Sequence, residues 1–300
     1  MKESEVKALI SLLEDPDEEI TSHITEKILS LGNEVIPTLE NHWEQSFNSL
    51  QQKRIEDLIH KIQFDGIAKN LSLWATLGGR DLLQGAMLLA KYQYPDLNEA
   101  KLKAHLDLIK HDTWLELSPR LTALEKVKVL NHILFEIHGF SGNTSNYHAP
   151  QNSYINNVLE SKKGNPLSLS IIYCVLAQSL DIPIYGVNLP EHFIVCYLDE
   201  SHEIPDTLIS ENRVYFYVNP FSKGAIFGRN DIDSFLKQVK RDPEKQFYNP
   251  CSNIDMMVRL INNLILAYEK LGYPEKIKEL RILQRSLLLD DDRVKGGDKD

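Results

Sequence analysis

One stretch limits what this chain can fold into more than any other: SKKGNPLSLSIIYCVLAQSLDIPIYGVNLPEHFIVCYL, from Ser161 to Leu198. It opens on Gly164-Asn165-Pro166, a helix entry signal. Asn accepts a bond from a free first-turn N–H, and Pro fits the first helical position. Leu169, Ile172, Tyr173, Leu176 and Leu180 then mark a buried helix. IPIYGVNL and HFIVCYL read as strands joined by a tight turn, the second opening on His192. A further strand, VYFYVNPF, sets Val214, Phe216 and Val218 against Tyr215, Tyr217 and Asn219, the two-residue alternation of a pleated strand. The remaining pattern is helical, so the predicted fold class is α+β, mostly helical.

From about Glu5 to Leu71 the spacing predicts helices. Leu9, Leu12 and Leu13 share one face, a turn falls at Asp15-Pro16-Asp17, and Ile20, Ile24, Ile28 and Leu31 follow at helical spacing. Two amphipathic helices joined this way, in LISLLEDPDEEI, resemble a HEAT-like unit; a plain helical hairpin fits as well. Further on, Leu82, Leu83, Met87 and Ala90 stack along one helix, and Val127, Leu130, Leu134 and Ile137 along another. His132 and His138 fall on opposite sides of that helix and do not make a metal pair. From about residue 251 the chain is helical again, with Leu260, Leu264, Ala267 and Leu271 in register before a Gly-Tyr-Pro turn. NNLILAYEKLGYPEKIKELRILQ resembles one tetratricopeptide helix pair. The end, DDDRVKGGDKD, is too polar to fold. The expected segments are therefore 1–71, 72–250, 251–289 and a disordered tail over 290–300.

Composition excludes several functions. With 33 Lys plus Arg against 43 Asp plus Glu, the net charge is -10, and no basic stripe suits nucleic acid. The three cysteines, Cys174, Cys196 and Cys251, sit in apolar contexts without CxxC spacing, which predicts reduced, buried thiols. The start MKESEVKALI lacks a signal-peptide pattern, and no apolar run approaches membrane-spanning length. These features predict a cytoplasmic protein without a membrane partner or a cofactor.

The layout around Asn165 suits nucleophilic catalysis. A cysteine at a helix N-terminus has a lowered pKa, and it needs a histidine base held by a third group. His192 starts one strand and Asn219 ends another; antiparallel pairing would bring them to the same sheet edge, where Asn can orient the imidazole. Yet Asn165 and Pro166 cannot attack anything.

The stretches DLLQGAMLLAKYQYPDL, LNHILFEIHGFSGN, NYHAPQNSYINNVLESKKGNPLSLSIIY, LDIPIYGVNLPEHFIVCY and VNPF, between Asp81 and Phe221, resemble the SirB-type branch of the transglutaminase-like superfamily. The terminal helix pair, to Leu287, fits too, since that branch commonly ends in a tetratricopeptide segment. The resemblance implies a papain-like core, a helix packed on a small antiparallel sheet, and a Cys-His-Asp triad. By position the Cys maps to Pro166, the His to His192 and the Asp, before a proline, to Asn219. The branch often has Gly before the histidine, and here Glu191 stands there.

Two readings follow. In the first, the domain is a non-catalytic transglutaminase-like protein that binds another protein or a peptide. In the second, a hydrolase or acyl-transfer enzyme uses His192 with Ser168. The polar loop before the helix is predicted to shape a cleft beside His192, with Asn143, Tyr147, Asn152, Tyr154 and Asn165 as its parts.

Overall fold

The structure is a computed structural model that describes residues 3–15, 17–199 and 214–288. The chain divides into two compact units, Met1–Asn70 and Leu71–Asp300. Pro16 of the expected first turn, most of the polar loop after Leu198 and the tail over 290–300 lie outside the described residues.

The first unit holds α1 (Glu3–Ser11), α2 (Glu18–Leu29), α3 (Ile36–Gln45) and most of α4 (Ser49–Thr76). Asp17 caps α2 by accepting the Glu19 N–H, and the helices close over Ile10, Leu13, Ile24, Ile28, Leu39 and Ile55. The expected face shifts here. Leu12 and Ile20 are exposed, and Ile10 takes the buried place. For Leu12 the reason is local: α1 stops at Ser11 and Leu12–Glu14 form a tighter 3-10 turn, which breaks the 3.6-residue register, while Ile20 lies in the first turn of α2.

The second unit is α+β and mostly helical. Its helical part comprises α5 (Leu82–Gln93), α6 (Glu99–Glu116), α7 (Ala123–Asn131) and α8 (Ile155–Ser161). Side-chain caps start three of them: Asp81, Asn98 and the Thr122/Glu125 capping box. After α7 the chain widens into a π-turn over His132–Ile137. That change leaves Ile137 exposed, although Val127, Leu130 and Leu134 are buried as the spacing predicts.

The core follows. β1 (Ser141–Gly142) and β2 (Lys163–Gly164) form a short parallel pair that leads into α9 (Pro166–Gln178). β3 (Ile184–Leu189), β4 (His192–Leu198), β5 (Val214–Asn219) and β6 (Ala225–Phe227) form one antiparallel sheet in that order. α9 packs against β3 and β4. Val187, Leu189, Ile194, Cys196 and Tyr217 pack with Ile232 and Leu236 of α10 (Arg229–Gln238). β4 is thus buried nearly throughout. Tyr217 is buried too, packed in the same cluster, and its hydroxyl donates to the Tyr248 carbonyl at 2.9 Å.

α11 (Asn253–Leu271) and α12 (Pro274–Leu288) belong to the same unit as the sheet. A Ser252/Asp255 capping box starts α11, and Gly272 ends it in the left-handed conformation. Leu260, Leu264 and Ala267 face inward, whereas Leu271, in the last turn, is exposed. α11 can settle on β3 because Gly186 has no side chain: a Cβ there would lie 2.8 Å from Met256 Sδ. No helix among the described residues is long and apolar enough to cross a membrane.

Candidate functional site

The start of α9 is built from a few polar atoms that satisfy one another. Asn165 Oδ1 accepts the Ser168 N–H at 2.9 Å, and Ser168 Oγ accepts the Asn165 N–H at 3.0 Å. The Ser168 hydroxyl donates back to the Asn165 carbonyl at 3.2 Å. Asn165 Nδ2 donates to Ser153 Oγ at 2.9 Å, which ties the helix to the preceding loop. Gly164 is needed beside this box, since a Cβ there would come within 2.6 Å of Ser168 Oγ. Pro166 takes the first helical position.

The loop over 143–154 is held largely by its own amides. Asn143 Nδ2 donates to Asn152 Oδ1 at 2.8 Å, and Asn152 Nδ2 donates to the carbonyls of Asn146 and Tyr147 at 2.7 and 3.1 Å. Tyr154 is buried, with its hydroxyl 3.1 Å from that of Tyr268 on α11.

At the sheet edge, β4 and β5 pair antiparallel with Val195 opposite Val218, which brings the end of β5 alongside the start of β4. The Asn219 side chain stands by the His192 ring and acts on it to favour the protonated form. Its Oδ1 also accepts the Phe221 and Ser222 N–H groups at 3.1 and 3.3 Å. Phe221 and Phe235 flank the imidazole, each with ring centroids 6.3 Å away. Burial pulls the His192 pKa below its ordinary value and Arg259 adds to that, while Asn219 opposes both. Glu191, in the turn before His192, is left-handed with φ of 59°, the conformation in which Gly is favoured.

A cavity of about 300 Å³ joins the two parts. Asn165, Pro166 and Leu167 form one side, and Glu191, His192 and Phe193 another. Tyr147, His148 and Ser153 of the loop contribute, and Arg259, Asn263 and Leu266 of α11 close the wall. The structure thus brings His192, Asn165, Pro166 and Tyr147 to one cavity, with Asn219 behind the histidine. Ser168 is not in the lining, and its hydroxyl is held in the capping box. Asn143, Asn152 and Tyr154 support the loop without lining the cavity. Neither Cys174 nor Cys196 reaches it: both are fully buried, and burial raises their thiol pKa values. Cys251 is pushed up to about 12.

Sequence reasoning missed the α11 wall. Its signal was Arg259 and Asn263, one turn apart and interrupting the apolar run MMVRLINNLILA. Arg259 Nη1 donates to Asn188 Oδ1 at 2.8 Å and to the Leu189 carbonyl at 3.3 Å.

A family model described as the transglutaminase-like superfamily matches residues 100–262, more than half the chain. The chain belongs to the transglutaminase-like superfamily. The match spans α9, the sheet, His192 and Arg259, so these parts belong to the transglutaminase-like domain. Over 214 residues the chain is 35% identical to a UPF0162 protein of Xylella fastidiosa strain Temecula1 and 28% identical to one of strain 9a5c. Each alignment covers 66% of this chain and 70% of the relative. F-box only protein 21 of Mus musculus is 24% identical over 152 residues, 51% of this chain and 23% of that protein. No solved structure matches the chain.

Proposed function

We propose that this is a cytoplasmic, non-catalytic member of the SirB-type branch, with HEAT-like helices before the domain and a tetratricopeptide-like pair after it. It acts by holding a peptide segment of another protein in the cavity over His192. The observation that carries this reading is the face that α9 turns to the cavity. Where a nucleophile would stand there are Pro166 and Leu167, neither with a reactive side chain. The competing hydrolase reading needs a free Ser168 hydroxyl, but that oxygen is bonded on both sides to the Asn165 backbone. His192, with Asn219 behind it, then acts as an oriented polar group in a wall that mixes apolar side chains with a few polar ones, a common composition for a binding pocket. The similar stretch in F-box only protein 21 is 23% of that chain, which fits a module that works within larger assemblies.

The test is selection of phage-displayed dodecapeptides on the purified protein. Selected peptides should bind at least about tenfold more weakly to Leu266→Trp, which fills the rim, and should be recovered intact after long incubation. Equal binding to Leu266→Trp would remove the cavity from the reading. Cleavage that disappears in Ser168→Ala would restore the enzyme.

A further inference from the structure

Arg259 stands out in the cavity wall. Its guanidinium carries five N–H donors, and among the described residues its hydrogen-bond acceptors are Asn188 Oδ1 and the Leu189 carbonyl, both neutral. Both bonds use Nη1, so Nη2 and Nε have no protein acceptor there. No carboxylate pairs with it among the described residues. Glu191, the acidic group in the same lining, is exposed at the hairpin turn and makes no ion pair with it there. Burial nonetheless pulls on this charge, lowering the Arg259 pKa. A half-buried guanidinium without a counter-charge is costly when it stands alone and becomes favourable when an anion completes it. The two bonds to the β3–β4 hairpin fix its position, so the remaining edge is held ready for an acceptor at little further entropic cost.

We propose that the cavity binds a carboxylate, with Arg259 as its anchor and the apolar surface of Pro166, Leu167, Phe193 and Leu266 receiving the group beside it. This inference rests on the cavity being the peptide-binding site, and it names the chemistry recognised there. The matching geometry is bidentate, two oxygens against a planar fork. The cavity volume of about 300 Å³ is at the small end for ligand pockets and suits one residue with an apolar side chain. A carboxylate can reach it as a peptide C-terminus or as an acidic side chain.

Three probes separate these sources: N-acetyl-leucine, N-acetyl-leucinamide, and N-acetyl-glutamic acid α-amide, each titrated to about 20 mM against isotope-labelled protein, enough to detect millimolar binding. The readouts are the His192 ring resonances and the Arg259 side-chain Nε signal. N-acetyl-leucine should shift both. A matching response to the glutamate probe would assign an acidic side chain as a second source, and its absence would assign the C-terminus. Arg259→Gln keeps a donor for Asn188 and should weaken N-acetyl-leucine binding by about tenfold or more. Arg259→Lys keeps the charge without the fork and should fall between. Circular dichroism of both variants checks folding, and the amide probe gives the result independently of any variant. Equal binding of acid and amide would overturn the carboxylate inference and leave the peptide-binding cavity standing. No response to any probe would overturn both.

Discussion

The start of α9 and the start of β4 face the same cavity, and they have kept different things. At β4 a histidine opens the strand, with Asn219 of the next strand acting on its ring. At α9 the first helical position is a proline inside a closed capping box. The difference has a physical basis. A nucleophile contributes nothing to folding, and Pro in its place removes one unsatisfied N–H and presets the backbone for a helix. Asn219 is needed by the backbone as well, since it caps the turn over Pro220–Ser222 with two bonds. Both features are therefore accounted for by what the backbone needs at each place, a helix cap in one case and a turn cap in the other.

The largest effect should come from opening the box. Asn165→Ala removes the acceptor for the Ser168 N–H and the donor to Ser153 Oγ, both in buried surroundings. The expected loss is about 3 kcal/mol, from a missing cap and a stranded buried partner. Asn219→Ala sits at a partly exposed edge and should cost about half that. Urea unfolding of the two variants compares them directly. A larger loss at Asn219 would invert the contrast between a sealed helix start and a lighter-duty strand edge.

The next test asks whether the two halves of the cavity can cooperate. Pro166→Cys places a thiol at the N-terminus of α9, in the cavity that His192 also lines. The helix N-terminus favours the thiolate, and a Cys-His-Asn arrangement is known to support acyl chemistry. The introduced thiol should react with iodoacetamide about tenfold faster than Cys251 does, and His192→Ala in the same background should remove most of that gain. If reactivity ignores His192, the two halves of the site no longer cooperate, and the resemblance to a triad is positional only.

Much of this was legible in the residues, and the failures share one cause. The entry Asn165-Pro166 and the strand opening on His192 were readable because each is written in consecutive residues with a strong local preference. The pairing of His192 with Asn219 needed only the assumption of an antiparallel neighbour. Leu12, Ile20, Ile137 and Leu271 were misplaced because a 3-10 turn, a π-turn or a helix end changes which face a fixed spacing points to. Ser168 read first as a helix-start hydroxyl bonding the backbone, with a catalytic serine second, and its bonds to the Asn165 backbone are of the first kind. Arg259 was missed for a different reason: it reaches the cavity only because α11 docks on β3 at Gly186, a contact between positions far apart in the chain.

The smallest effect concerns protons. Burial, with Arg259, holds the His192 pKa below its ordinary value, against the opposing effect of Asn219. The unfolded chain, at about 6.5, then binds a proton before the folded one does. His192 therefore contributes its full share of stability above that pH and loses it as pH falls from about 6.5 toward the folded value. His105, lowered by burial and by Lys162, adds to the same trend. Urea midpoints between pH 7.5 and 5 should fall on acidification, and His192→Gln should flatten the slope without abolishing it. A bound carboxylate adds the sharper arm: negative charge near the ring favours imidazolium, so N-acetyl-leucine should raise the His192 pKa seen by NMR. A carboxylate that binds but leaves that titration unmoved is not sitting between Arg259 and the ring. The strand edge would then be a structural feature, and the cavity would owe its ligand to the helix walls alone.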